Sequence, residues 1–122
     1  MAVIGYFDGV PFGYFEVYWT PEDRLGPYYD CLPYDRGVHM LVGNQLFLGG
    51  KNFINWAAAV EHAVFVAEPR TENIMGEPRA DNVHVARITK HIGMTKLKEF
   101  DFPHKRAALL CCNRATFFNS IV

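Results

Sequence analysis

Residues 36–67 read RGVHMLVGNQLFLGGKNFINWAAAVEHAVFVA and decide the fold, because a predicted strand, a glycine turn and a predicted helix follow one another here. Apolar side chains alternate along RGVHMLVGN, a period of two that is typical of a short β-strand. From Phe53 onward they recur at the spacing of one helix face, which predicts a helix ending near Ala67, before Pro69. The expected buried stripe of this helix is Phe53, Trp56, Ala57, Val60 and Val64.

A glycine pair, Gly49-Gly50, joins this strand to this helix within the segment LFLGGKN. Glycines allow backbone N–H groups to converge, and the positive end of the helix dipole adds to the attraction for an anion. The segment matches neither a Walker A sequence nor the GxGxxG dinucleotide fingerprint. An ordinary strand-to-helix connection therefore stays open as the alternative. The expected donors to a phosphate or pyrophosphate are Gly49, Gly50, Lys51 and Asn52.

The sequence before residue 36 predicts a hairpin and then a long loop. In MAVIGYFDGVPFGYFEVYW, two β-rich runs flank Asp8-Gly9, a pair suited to tight turns. Both faces of the second run are largely apolar or aromatic, so we expect it to be an internal strand. Residues 20–35, TPEDRLGPYYDCLPYD, contain Pro and Gly at short intervals and predict an irregular loop, which at this length is typically functional.

The sequence after the helix predicts a strand, a second helix and two more strands. The segment ENIMGE forms the strand, Asp81 or Asn82 caps the helix, and Gly93 suits the left-handed position after its end. The segments MTKLKEFDF and RAALLCC are the last two strands, joined through Pro103-His104. The order β-β-loop-β-α-β-α-β-β predicts an α+β (mixed α/β) fold, antiparallel at one end and with βαβ crossovers in the middle.

Composition excludes several classes of protein. The 122 residues suffice for one domain, and 12 Lys plus Arg against 13 Asp plus Glu argue against nucleic-acid binding, which needs a basic surface. Three cysteines, with Cys111 and Cys112 adjacent, predict neither a disulfide framework nor a zinc site, and we expect small core residues in a reducing compartment. No signal peptide and no membrane-spanning stretch are visible, so we expect a cytoplasmic protein that does not bind membranes.

Two residues are candidates for acid–base chemistry. His39 lies in the middle of its strand, and an imidazole there could serve as a general base; the alternative is a core histidine bonded to a neighbour. Glu77 ends the next strand and would lie near His39 if the two strands pair in parallel. The alternative is that Glu77 only pairs with Arg79 or Arg36.

The tyrosine-rich loop is the candidate for substrate binding. Its tyrosines could form an amphipathic pocket or a hydrophobic lid, and its aspartates could hold a cationic substrate or remain solvated. The predicted substrate contacts are Tyr18, Trp19, Tyr34 and Asp35.

Five segments resemble the conserved blocks of siderophore-biosynthesis N-acyltransferases of the GNAT family, both aerobactin-type N6-hydroxylysine acetyltransferases and mycobactin-type lysine N-acyltransferases. They are GYFDGVPFGYFEVYW, DRLGPYYD, PYDRGVH, EPRTENIMGEPRADN and KEFDFPHKRA, and they cover nearly the whole chain. The resemblance implies a central mixed sheet with splayed parallel strands and two helices. It also implies that acyl-CoA lies where those strands splay.

The same resemblance implies a site and a reaction. His39 and Glu77 correspond to the catalytic pair of the mycobactin-type enzymes. The reaction is acylation, with acetyl-CoA as the expected donor, of an amine or N-hydroxylated amine of lysine, ornithine or diamine type in hydroxamate siderophore synthesis, without metal. The expected acyl-CoA contacts are Met40, Leu41, Val42, Leu48, Gly49, Gly50, Lys51, Asn52 and Asn82.

Two departures from the family keep a second hypothesis open. Relatives often carry Arg where this chain has Leu48, and the chain begins at what would be the second strand of a full domain. We therefore expect residues 1–122 to be a single, N-terminally short acyltransferase domain. The alternative is a truncated, non-catalytic acyl-CoA-binding module, or a domain completed by homodimerisation or by a longer biosynthetic protein.

Overall fold

The computed structural model describes residues 2–7, 9–42 and 50–120. In these residues, six strands form one mixed sheet in the order β1-β2-β3-β4-β6-β5, and three α-helices pack beside it. In chain order the elements are β1 (Ala2–Phe7), β2 (Val10–Trp19), β3 (Arg36–Val42), α1 (Gly50–Ala67), β4 (Asn73–Gly76), α2 (Val83–Ile88), β5 (Thr95–Phe102), β6 (Lys105–Asn113) and α3 (Arg114–Ser120). The predicted α+β class is confirmed.

The hairpin and the loop form as predicted. Strands β1 and β2 pair antiparallel, and Gly9 adopts φ +79°, which a residue with a side chain rarely tolerates. Strand β2 also pairs with β3, so it is the internal strand that its two apolar faces indicated. Residues 20–35 contain two short 3₁₀ turns, Thr20–Glu22 and Gly26–Tyr28, and are otherwise irregular.

The arrangement of β3 and β4 creates the main cleft. The two strands are parallel and are connected over α1, but their pairing covers only Arg36 with Ile74 and Gly37 with Met75. The other edge of β4 pairs antiparallel with β6. The described part of β3 continues to Val42 without another partner in β4, so a gap opens in the middle of the sheet.

Each face of the sheet has its own apolar cluster. Helices α1 and α3 cover one face, where Ala57, Val60 and Val64 of the predicted stripe are buried and Trp56 is half-buried; the side chain of Phe53 lies outside the described set. The loop after β2 covers the other face through Leu25, which packs with residues of β4, β5 and β6. Cys111 and Cys112 point to opposite faces, and all three cysteines are free thiols.

The C-terminal half differs from the prediction in two places. Asn82 caps α2 by accepting a hydrogen bond from the Val85 backbone N–H (3.1 Å), but the helix ends at Ile88 and continues only as a 3₁₀ turn. Helix α3 was not predicted. Asn113 caps it by accepting from the N–H of Ala115 at 3.1 Å. No helix in the described ranges is long and apolar enough to cross a membrane.

Candidate active site

The gap between β3 and β4 is a cleft of about 480 Å³ that reaches both faces of the sheet. Val38 and Met40 of β3 face it from the α1 side, together with Ile92 and Met94. Polar side chains line it from the loop side. These are Tyr14, Glu16, His39, Glu77 and Lys105. The cleft therefore joins an apolar wall to a polar wall along one opening.

His39 and Glu77 meet at this opening. The parallel pairing of β3 with β4 places them side by side, and His39 Nε2 lies 2.5 Å from Glu77 Oε1. The Glu77 side chain is fully buried, whereas that of His39 is 39% exposed. Arg79 pairs instead with Asp81 (3.1 Å), and the guanidinium of Arg36 stacks on the ring of Trp19. The structure therefore favours His39 over either arginine as the partner of Glu77.

Lys105, which the sequence analysis did not single out, supports the buried carboxylate. Its Nζ donates to the backbone carbonyl of Glu77 (2.7 Å) and lies 4.0 Å from Oε2 of the same residue. Burial by itself would raise the pKa of Glu77. The hydrogen bond from His39 and the positive charge of Lys105 outweigh burial and hold this pKa below its usual value. Glu77 is therefore an ionised carboxylate at neutral pH.

Glu16 is a second carboxylate beside the same imidazole, and the sequence analysis did not assign it a role. It lies directly opposite His39 in the β2–β3 pairing, with Oε1 at 3.5 Å from Nδ1, and Tyr14 donates its hydroxyl to Oε2 at 3.0 Å. The hydrogen bond with Glu77 raises the pKa of His39 above its usual value, and Glu16 raises it further, against the opposing effect of burial. Both ring nitrogens of His39 thus face carboxylates.

Tyr18 is the predicted substrate residue that does lie beside His39. The two rings are 4.9 Å apart between centroids, and the Tyr18 ring lies across Gly37, where any added Cβ would overlap it. Glycine is therefore required at position 37 for this ring position. The Tyr18 hydroxyl is buried without a hydrogen-bond partner among the described residues, and burial raises its pKa.

The structure does not bring Trp19, Tyr34 and Asp35 to the cleft. Trp19 ends β2 and Tyr34 and Asp35 precede β3, and the rings of Trp19 and Tyr34 pack 6.4 Å apart between centroids. Asp35 is completely buried, and its carboxylate accepts hydrogen bonds from the Tyr29 hydroxyl (3.0 Å) and the Leu32 N–H (3.1 Å). These internal donors hold Asp35 within the loop, and its contact with a substrate stays a prediction.

The predicted acyl-CoA contacts are only partly within the described structure. Met40 and Asn82 line the cleft. Leu41 and Val42 belong to β3, and Gly50, Lys51 and Asn52 form the first turn of α1, but the structure describes only the backbone at these five positions. Leu48 and Gly49 lie outside the described residues. Within the described ranges, no three His, Cys, Asp or Glu side chains are grouped as metal ligands.

Comparison with known sequences gives one consistent family. The family described as acetyltransferase (GNAT) domain matches residues 1–102. The chain is 41% identical over 119 residues to N(6)-hydroxylysine O-acetyltransferase of Escherichia coli. The matched region covers 98% of this chain and 38% of that protein. It is 42% identical over 118 residues to N(5)-hydroxyornithine:cis-anhydromevalonyl coenzyme A-N(5)-transacylase of Beauveria bassiana, covering 97% of this chain and 26% of that protein. The chain thus spans well under half the length of either relative.

Solved structures share the fold. An uncharacterized protein of Bacillus halodurans superposes with a TM-score of 0.89 at 33% identity, over 95% of this chain and 60% of that one. Aminoglycoside acetyltransferase AAC(6')-Ib, in complex with coenzyme A and kanamycin, superposes with a TM-score of 0.86 at 21% identity, over 99% and 70% of the two chains. At that identity, the second similarity describes the fold alone.

Proposed function

This chain belongs to the acetyltransferase (GNAT) domain family, and we propose from that premise that it transfers an acyl group from acyl-CoA to the nitrogen of an amine or N-hydroxylated amine of lysine, ornithine or diamine type. The pathway we assign is hydroxamate siderophore biosynthesis. The observation that carries the proposal is the His39–Glu77 pair at the opening between two splayed parallel strands. Relatives named for hydroxylysine and hydroxyornithine acylation support the acceptor class.

Acyl-CoA enters the proposed reaction along the β3 edge of the cleft. Beyond Gly37 this edge has no partner in the described part of β4, so its backbone groups are open to an extended pantetheine chain. The pyrophosphate would lie at the amino end of α1, an 18-residue helix that begins at Gly50 and whose dipole favours negative charge there. Met40, Leu41 and Val42 would contact the thioester arm, and Asn82 lies across the cleft.

The chemical step is direct attack of the acceptor nitrogen on the thioester carbonyl. The N–C bond forms as the nitrogen loses a proton to the imidazole of His39, and the C–S bond then breaks. The thiolate takes up this proton from the imidazolium of His39, so CoA leaves as the thiol and His39 returns to its neutral state. Glu77 accepts a hydrogen bond from Nε2–H of His39, which keeps the lone pair on Nδ1 and stabilises the imidazolium that forms.

The carbonyl oxygen becomes an anion during this attack and needs hydrogen-bond donors. Backbone N–H groups on the open edge of β3 are the donors that we assign, because they are fixed by the pairing of β3 with β2 on its other edge. Donors held in place before the reaction are the largest electrostatic contribution in many acyl transfers.

Acetyl-CoA is the donor that we propose among the acyl-CoAs, and the cytoplasm is the proposed compartment. The E. coli relative is named as an acetyltransferase, whereas the Beauveria relative is named for a longer acyl group. The cytoplasm supplies acyl-CoA, and the three free thiols of the described structure fit its reducing conditions.

One assay tests the proposal. The purified chain is incubated with acetyl-CoA and N6-hydroxy-L-lysine, and the acetylated product is measured by mass spectrometry beside the His39→Ala variant. Since general bases typically contribute about 10²–10⁴-fold, we expect the variant to lose activity by that factor. A native chain that forms no product, yet melts at a higher temperature with CoA, would indicate the non-catalytic acyl-CoA-binding module. A chain that neither turns over nor binds CoA would contradict both hypotheses.

A further inference from the structure

The two carboxylates beside His39 differ in how open they are to the cleft. Glu77 lies at Nε2, and its side chain is 0% exposed and already bound to the imidazole at 2.5 Å. Glu16 lies at Nδ1, at the longer distance of 3.5 Å, and its side chain is 46% exposed. Glu77 is thus part of the interior, whereas Glu16 faces the space that a substrate would enter.

Glu16 is also held in position before any substrate arrives. Its strand pairing fixes it opposite His39, and the Tyr14 hydroxyl donates to its Oε2 at 3.0 Å, which leaves Oε1 as the atom facing the imidazole and the cleft. The bond from Tyr14, followed by the effect of the neighbouring His39, lowers the pKa of Glu16, so the group is an anion at neutral pH. Among the described residues no Lys or Arg forms an ion pair with it.

A fixed, partly open carboxylate that has no Lys or Arg partner in the described part of the chain is suited to a ligand that donates hydrogen bonds or carries positive charge. We propose that Glu16 binds the nitrogen head of the acceptor, either an ammonium group or the N–H and O–H of a hydroxylamine, beside Nδ1 of His39. This inference rests on the proposed function for the choice of acceptor, and it assigns Glu16 a substrate-binding role at the reacting atom.

The geometry orders the proton transfer. With Nε2–H donated to Glu77, the lone pair of His39 is on Nδ1, on the side of Glu16. A nitrogen that donates one hydrogen bond to Glu16 Oε1 therefore has its next proton near Nδ1, which accepts that proton as the N–C bond forms; a primary ammonium gives its extra proton to solvent before this step. The imidazolium that forms lies between two carboxylates, which favours its formation.

Substitution of Glu16 by Gln tests this assignment, because Gln keeps the size of the side chain and its bond to Tyr14 but removes the charge. Binding is measured by isothermal titration calorimetry, with CoA present, for N6-hydroxy-L-lysine, L-lysine and norleucine, which has the lysine skeleton without the terminal nitrogen. We expect Glu16→Gln to weaken the binding of N6-hydroxy-L-lysine and of L-lysine, which carry the terminal nitrogen, about tenfold or more. A tenfold loss equals about 1.4 kcal/mol of binding free energy. Norleucine and CoA should bind both forms equally.

Two further variants keep the test decisive. Glu22→Gln changes an exposed glutamate of the loop after β2 and should leave all four affinities unchanged. Tyr14→Phe removes only the hydroxyl that holds Glu16, so it should weaken the binding of the two ligands with the terminal nitrogen to a smaller extent. This variant serves in place of Glu16→Gln if Glu16→Gln does not fold.

The outcomes separate this inference from the proposed function. Unchanged affinity of Glu16→Gln for both amines, or an equal loss for norleucine, would overturn the role of Glu16. Binding that depends on Glu16 in a native chain without acyl transfer would support the subsite and contradict the proposed reaction. A protein that transfers the acyl group with the same acceptor KM in native and Glu16→Gln forms would retain its function and lose this subsite.

Discussion

The protonation of His39 sets the pH at which the proposed reaction can proceed. The imidazole accepts a proton only when it is neutral, and the bond with Glu77 raises its pKa above 6.5, so kcat/KM should fall as the pH drops through this raised pKa. Glu77→Gln removes the main cause. We therefore expect the acidic limb of the kcat/KM profile to move to lower pH, together with a lower kcat because the ring is held less firmly.

Other charged groups face His39 and provide the control. Glu16 also raises the pKa of His39 but contacts it at 3.5 Å, and Lys105 lies behind Glu77. Glu16→Gln should move the acidic limb in the same direction by a smaller amount. If the acidic limb of both variants lies at the same pH as that of the native chain, His39 is not the titrating base.

Lys105 is expected to position Glu77 without touching the substrate. Lys105→Met removes the hydrogen bond to the Glu77 carbonyl and the positive charge 4.0 Å from its carboxylate. We expect kcat to fall with an unchanged acceptor KM, and the free energy of unfolding to fall on the order of 1–3 kcal/mol, as for other charged hydrogen bonds. Urea denaturation and steady-state kinetics measure the two effects.

Lys105→Arg keeps the charge and should recover most of the lost kcat. Lys96→Met removes a lysine that pairs with the exposed Glu99 and should change neither quantity appreciably. An increase in acceptor KM as the main effect of Lys105→Met would instead place Lys105 in the substrate site.

Sequence alone could place His39 beside Glu77 because both lie on strands that a helix connects, and such strands are normally parallel neighbours. It could not place Glu16 or Lys105. Glu16 reaches His39 through the exact register of β2 on β3, and Lys105 reaches Glu77 through the position of β6 next to β4. A one-residue slip in either register would turn these side chains to the opposite face.

At the scale of elements, the loop of residues 20–35 depends on Asp35. Its buried carboxylate accepts bonds from Tyr29 and Leu32 of the loop and from Asn73 of β4. Asp35→Ala leaves these buried donors unpaired, so we expect the free energy of unfolding to fall by about 2–4 kcal/mol in urea denaturation.

Asp30→Ala provides the matched control in the same loop, because Asp30 is exposed and should change stability by less than about 0.5 kcal/mol. Native stability in Asp35→Ala, combined with a higher acceptor KM, would instead support the substrate-binding role predicted for Asp35 from the sequence.

Helix prediction succeeded where the periodic pattern was long and failed where it was short. Helix α1 spans 18 residues, enough for its apolar stripe to be recognised, whereas α3 has seven and follows β6 directly. Its cap, Asn113, was the available signal, but it directly follows the segment RAALLCC, which reads as strand. The second helix continues as a 3₁₀ turn after Ile88 and ends at Gly93, whose φ of +73° lets the Met94 N–H bond back to the Thr89 carbonyl.

At the scale of the whole molecule, the cleft connects the two faces of the sheet. Apolar residues from the α1 face, such as Met40 and Met94, form one wall, and His39 with its carboxylates forms the other on the loop face. In the proposed reaction, the thioester arm and the polar amine would approach from opposite sides and meet where β3 and β4 part. Such an approach would need a sheet that is interrupted in its centre, as this one is between β3 and β4.

Glu61 should make the stability of the whole molecule depend on pH. It lies on α1, 0% exposed, with Oε1 unpaired among the described residues and Oε2 accepting from Cys112 Sγ at 3.7 Å; burial raises its pKa to about 8. The unfolded chain loses this proton near its usual pKa of about 4.5, whereas the folded protein keeps it. The unfolded state thus binds fewer protons between these values, so stability falls as the pH rises from about 4.5 to about 8.

Glu61→Gln removes this titration, so its free energy of unfolding should change less with pH than that of the native chain, by on the order of a few kcal/mol across the interval. The slope is the relevant measurement, from urea denaturation at a series of pH values, because the buried amide changes the absolute stability of the variant by itself. His39 also has a raised pKa and contributes a decline of the same sign, but it is present in both proteins and cancels in the difference. Parallel pH profiles for the two proteins would mean that Glu61 is already ionised in the folded state, and α1 would then have to carry a buried anion against the sheet.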